Sequence, residues 1–170
     1  MYRVLIFIIV FSIINVSCNS NSGKRKKEHQ GSTSVKSNEY LAVTKVVDGD
    51  TFWADDGTTG IKIRLIGVDA PESRRTFKKE VGYYGKEAKV YLTKLLIGKS
   101  VRLEFDLDHT DQYGRTLAYV YLEDGTFVNA ELVKNGYAMV MTVPPNIKFA
   151  EKFVELQKEA RENNLGLWKE

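Results

Sequence analysis

A chain of 170 residues, 43% hydrophobic and 28% charged, has room for one domain with a substantial core and none for a second. Its net charge of +3 is unevenly placed: residues 1–38 carry six Lys or Arg against Glu28 alone, and residues 39–170 carry 19 basic against 21 acidic side chains. The part able to fold therefore lacks the broad basic excess of a protein that coats nucleic acid, and the single cysteine, Cys18, excludes an intrachain disulfide.

In chain order, Met1-Tyr2-Arg3 precedes an almost unbroken apolar run from Val4 to Ile14, shorter than the roughly 20 residues of a membrane-spanning helix. It reads as a signal peptide. Cys18, after Asn15-Val16-Ser17, resembles a bacterial lipoprotein cleavage site, so the expectation over 1–18 is an export signal with lipid on Cys18. That places the mature protein in the cell envelope or outside the cell. Residues 19–39 are Asn, Ser, Gly, Lys and Gln with almost no apolar side chain, the composition of a disordered linker; Lys24-Arg25-Lys26-Lys27 is solvated charge within it.

The folded domain is predicted over 40–170. Strands are expected at Leu41 to Val47, at Thr51 to Ala54 after an Asp48-Gly49 turn, and at Ile61 to Val68. Between Tyr84 and Ile97, apolar residues at Ala88, Tyr91, Leu92, Leu95 and Leu96 follow one helical face, with Gly98 as the cap. Strict alternation over Val101, Leu103, Phe105 and Leu107 predicts a fourth strand, and Thr116 to Leu122 a fifth. A short helix over Val128 to Asn135 and a last one over Ile147 to Glu162 complete the pattern. Five strands with a helix between the third and fourth is the order of a Greek-key OB-fold barrel, here an α+β domain with three helices, and such barrels bind oligonucleotides on one open face.

Three segments carry chemistry: Val47-Asp48-Gly49-Asp50-Thr51, Arg64 to Glu72, and Asp111-Gln112-Tyr113-Gly114-Arg115. Asp50 and Asp69 offer hard oxygen ligands to a divalent cation, which would relieve the repulsion between them. Calcium is the expected ion, since every available ligand is a hard oxygen and neither His29 nor His109 lies in a motif. Glu72, held by Pro71, is the candidate base for water, and Arg64 and Arg115 offer planar forks matched to phosphate oxygens. Alternation with Ile61, Ile63 and Leu65 turns Arg64 outward from the core, so Arg64→Lys should damage turnover and spare stability. Tyr113 is a candidate contact to a terminal phosphate or a base, and Arg74, Arg75, Lys78 and Lys79 to flanking phosphates.

Together with Tyr84-Gly85-Lys86-Glu87-Ala88, Leu117-Ala118-Tyr119-Val120-Tyr121 and Leu165-Gly166-Leu167-Trp168, these segments make the chain from Tyr40 to Trp168 resemble the staphylococcal nuclease family. The resemblance implies a Ca²⁺-dependent endonuclease that hydrolyses DNA and RNA and leaves 3′-phosphate ends. It also implies a third protein ligand, the backbone carbonyl of Ala70, where the best-known member has Thr. After Gly136 that member has two tyrosines that pack on the nucleotide; Thr142 and Pro144 stand in their places here. No protein partner is implied and a monomer is expected. The competing expectation is a non-catalytic OB-fold module that binds nucleic acid without cutting it.

Overall fold

The computed structural model describes residues 39–55, 57–75 and 80–169. The expected signal peptide, Cys18 and all of the linker but Glu39 lie outside the described residues, as do Lys78 and Lys79. Strands β1 (Tyr40–Asp48), β2 (Thr51–Asp55), β3 (Gly60–Leu65), β5 (Ser100–Glu104) and β6 (Thr116–Leu122) close into a barrel in the order β1-β2-β3-β6-β5. All neighbours are antiparallel except β3 and β6, whose parallel pairing closes the ring. Helices α1 (Gly85–Leu96), α2 (Val128–Lys134) and α3 (Ala150–Glu162) accompany it, which is the expected OB-fold arrangement.

The apolar pattern explains these elements. In β1 the inward residues are Leu41, Val43 and Val46, a spacing that breaks strict alternation. The register slips between Val43 and Lys45, so Thr44 is the extra residue of a bulge that returns Val46 to the core. On α1, Ala88, Leu92 and Leu96 are fully buried and form the predicted face. Phe52, Ile63, Leu65, Val101, Leu103 and Val120 fill the barrel, and Phe153 of α3 joins the same core.

Three boundaries differ from expectation by more than one residue. The third strand does not run on to Val68: it stops at Leu65, turns at Ile66-Gly67, and resumes as β4 (Val68–Asp69), which pairs with β7 (Met139–Val140) in a second small sheet. Gly67 makes this possible, with φ of 78° and a Cβ position that would lie 2.5 Å from the Phe153 ring. The turn is also stapled from within, because fully buried Asn129 of α2 donates to the Ile66 carbonyl at 2.9 Å while its Oδ1 accepts the Val120 N–H. The fourth barrel strand ends at Glu104 rather than Leu107, and α3 starts at Ala150 rather than Ile147. Asp106 ends the ladder by turning its carboxylate onto the N–H groups of Leu107 and Lys148, a local bond that competes with strand pairing.

Candidate active site

The three chemical segments meet at one end of the barrel. Thr51 and Arg64 face each other across the β2–β3 ladder, which puts the Arg64 side chain beside Asp50, the residue just before Thr51. The Asp50 carbonyl accepts the Leu65 N–H at 3.0 Å, locking the turn onto β3. Across the turn, Asp50 Oδ2 accepts the Ala70 N–H at 2.9 Å and Oδ1 accepts the Thr51 hydroxyl at 2.9 Å. Gly49 is needed here for room, because an added Cβ would lie 2.6 Å from the Ala70 Cβ and 2.9 Å from that of Ala88. Its small size lets the hairpin turn, the Ala70 loop and α1 come together.

Arg64 does not face solvent. It is 7% exposed and forms ion pairs with Asp50, itself 5% exposed, and with Asp69 Oδ1 at 2.7 Å, so one guanidinium bridges the two carboxylates. The strand alternation does point Arg64 out of the barrel interior; the Asp50 turn and the β4 segment then cover it. Burial is the largest influence on the guanidinium and lowers its pKa from the ordinary value, and Arg115 acts in the same direction; the Asp69 hydrogen bond and the charges of Asp69 and Glu72 oppose them.

Arg115 approaches from the opposite loop. Asp111 holds it at three points: Oδ2 accepts its Nε at 2.6 Å, Oδ1 accepts its backbone N–H at 3.0 Å, and the Asp111 N–H donates to the Arg115 carbonyl at 3.1 Å. Partial burial pushes the Asp111 carboxyl up, but the hydrogen bonds and charge from Arg115 and the Tyr113 N–H outweigh it and hold the group below the usual carboxylate range. The sequence reading placed Asp111 in the same segment as Arg115 but gave it no role of its own, although a carboxylate four residues before that arginine is a usable signal. Tyr113 lies at the loop tip, 75% exposed, with its ring centroid 5.5 Å from the Arg115 guanidinium carbon.

Asp50, Arg64, Asp69, Ala70, Glu72 and Arg115 line one cavity of about 390 Å³ with Arg74 at its rim. Arg75 instead pairs with Glu80 at 2.9 Å on the exposed surface. A second cavity of about 300 Å³ shares Arg64, Arg115 and Met141 and is walled by Leu117, Val143, Pro144 and Tyr113, while Thr142 is exposed and outside it. Carboxylates and guanidiniums therefore line one polar cavity together, beside a more apolar one, and the guanidinium forks supply the charge and geometry that complement a phosphate group.

The model of the family described as "Staphylococcal nuclease homologue" matches residues 62–170. The chain belongs to the staphylococcal nuclease family. It is 40% identical over 165 residues to the thermonuclease of Staphylococcus intermedius, covering 97% of this chain and 92% of that protein. It is 34% identical over 163 residues to the thermonuclease of Staphylococcus hyicus, covering 96% and 95%, and 32% identical over 187 residues to the endonuclease YncB of Bacillus subtilis, covering 94% and 88%.

The donor set of this nuclease fits a calcium ion. Asp50 and Asp69 are brought within reach of one guanidinium, they share a cavity wall with Ala70, and all of these ligands are oxygen. Among the described residues no group of three or more His, Cys, Asp or Glu could by itself hold a metal, so water and substrate phosphate would supply the remaining ligands. Arg64 occupies the role between the carboxylates that the sequence reading gave to the cation alone.

Proposed function

We propose that this nuclease, a phosphodiester hydrolase, depends on Ca²⁺, cuts DNA and RNA internally to leave 3′-phosphate ends, and acts outside the cytoplasm. The observation that carries the reading is the convergence of Arg64, Arg115 and Glu72 on the cavity walled by Asp50 and Asp69. The apolar run from Val4 to Ile14 supports export, and Cys18 supports a lipid anchor.

A phosphate seated in the cavity meets Arg64 from the β3 side and Arg115 from the Asp111 loop. Glu72 takes a proton from a water that attacks phosphorus; the new P–O bond forms as the P–O5′ bond breaks, and the departing O5′ takes a proton from solvent. Proton removal by this carboxylate supplies the smaller share of the acceleration. The larger share comes from the two guanidiniums, already fixed by Asp50, Asp69 and Asp111, as the phosphoryl oxygens gain charge. Bound calcium, held by Asp50, Asp69 and the Ala70 carbonyl, would add Lewis-acid stabilisation of that charge. Neither Thr142, which lies outside the adjoining cavity, nor Pro144, which lines it, offers a stacking surface, so among the described residues Tyr113 is the one aromatic wall, which favours weak, base-tolerant nucleotide binding.

Plasmid, single-stranded DNA and RNA incubated in Ca²⁺ should all be cut and all be spared by a calcium chelator, with end-group analysis finding 3′-phosphates. Retention of the oligonucleotide without cleavage in Ca²⁺ would favour the binding-module reading.

A further inference from the structure

Asp48 lies at the end of β1 on the wall of the cavity, and its Oδ1 accepts two backbone N–H groups, Gly49 at 2.9 Å and Ser73 at 3.0 Å. The first bond is turn chemistry. The second reaches 25 residues along the chain to the N–H immediately after Glu72. The carbonyl of that same peptide unit, Glu72 O, accepts the Gly82 N–H at 2.9 Å. Gly85, the first residue of α1, packs so closely that an added Cβ would overlap the same oxygen. The Glu72–Ser73 peptide is therefore gripped at both ends of its dipole, by a carboxylate on the N–H and by the approach to α1 on the carbonyl.

We infer that Asp48 is a positioning residue for hydrolysis: by accepting the Ser73 N–H it fixes the orientation of the Glu72–Ser73 peptide and thereby the direction in which the Glu72 carboxylate points. A charged acceptor suits the task, since hydrogen bonds to a carboxylate are shorter and stronger than neutral ones. The tie joins the turn that carries Asp50 to the loop that carries Glu72, so the group that activates water is set relative to the carboxylate wall. The inference rests on Glu72 acting as the base.

The test is single-turnover cleavage of a single-stranded oligonucleotide in saturating Ca²⁺ by Asp48→Ala, Asp48→Asn, Glu72→Gln and the Asp48→Ala/Glu72→Gln double variant. Asp48→Ala should slow cleavage by about 10- to 100-fold, with the substrate concentration at half-maximal rate and the calcium response each within about twofold of wild type. Asp48→Asn keeps an Oδ1 acceptor and should recover most of the rate. In the Glu72→Gln background, removing Asp48 should cost little more, because the two act as one unit. An equal loss in both backgrounds overturns the positioning role and leaves Glu72 as base, whereas a Glu72→Gln variant of normal rate overturns the base assignment itself. A loss in Asp48→Asn as large as in Asp48→Ala, with a weakened calcium response, would give Asp48 to the cation instead. Should Asp48→Ala not fold, hydrogen exchange of the Ser73 amide in the wild-type protein decides: protection supports the bond, and exchange at the rate of a free amide overturns it.

Discussion

The two arginines of the site are held in opposite ways. Arg64 is built into the barrel wall, 7% exposed, paired with Asp50 of the β1–β2 turn and Asp69 of β4 and locked by the Asp50 contact to Ala70. Arg115 sits on a loop, its side chain 27% exposed, and is held by Asp111 four residues earlier, in a unit that needs almost nothing from the rest of the fold. Charge on the core side is therefore inseparable from stability, and charge on the loop side is a local device. In the proposed mechanism a phosphate meets one partner built into the barrel wall and one carried by a loop.

The largest effect should come from Arg64→Ala. Removing the bridge leaves Asp50 buried beside Asp69 with no cation, a loss of about 3–5 kcal/mol in chemical denaturation together with loss of cleavage. Arg64→Lys, judged harmless to folding from the strand pattern alone, should also lower the melting temperature, since one ammonium cannot hold both carboxylates, and should cut turnover by about 100-fold. Gly49→Ala comes next: the added methyl meets Ala70 and Ala88, so unfolding should become easier by about 1–3 kcal/mol and the calcium response should weaken as the Asp50 turn shifts away from Ala70.

On the loop side the expected changes are smaller and separate from folding. Asp111→Asn should lower turnover by roughly 10-fold through loss of Arg115 aim, with stability altered by less than about 1 kcal/mol. The folded pKa of Asp111 lies below its unfolded value, so its contribution to stability is present above the unfolded carboxylate range and is lost as the pH falls through the depressed folded value. In acid titrations followed by circular dichroism, wild type and Asp111→Asn should differ at neutral pH and converge at the acid end; a difference that grows on acidification contradicts the sign. Tyr113→Ala, at an exposed loop tip, should give the smallest change, a modest rise in KM.

The comparison also marks what was legible in the sequence. The helix over Gly85–Leu96 and the barrel order followed from periodicity, because apolar spacing reports directly on which face is buried. The grouping of Asp50, Arg64, Asp69, Glu72 and Arg115 was legible through the spacing of three segments. What the sequence hid depends on long-range closure. The covering of Arg64 needs the Ile66-Gly67 turn, and that turn depends on Asn129 and Phe153, which lie more than sixty residues away. The role of Gly49 was hidden for the same reason: an Asp-Gly pair signals a hairpin locally, and only the packed Ala70 and Ala88 show that its missing side chain is what the site requires.

The most direct test of the account is a calcium titration of the cleavage rate for wild type and Asp69→Asn. The account predicts a wild-type rate that saturates with Ca²⁺ and vanishes in chelator, and a variant that needs at least about 10-fold more Ca²⁺ to reach half its maximum. Cleavage that persists undiminished in chelator, or an Asp69→Asn response that overlays the wild-type curve, would contradict it.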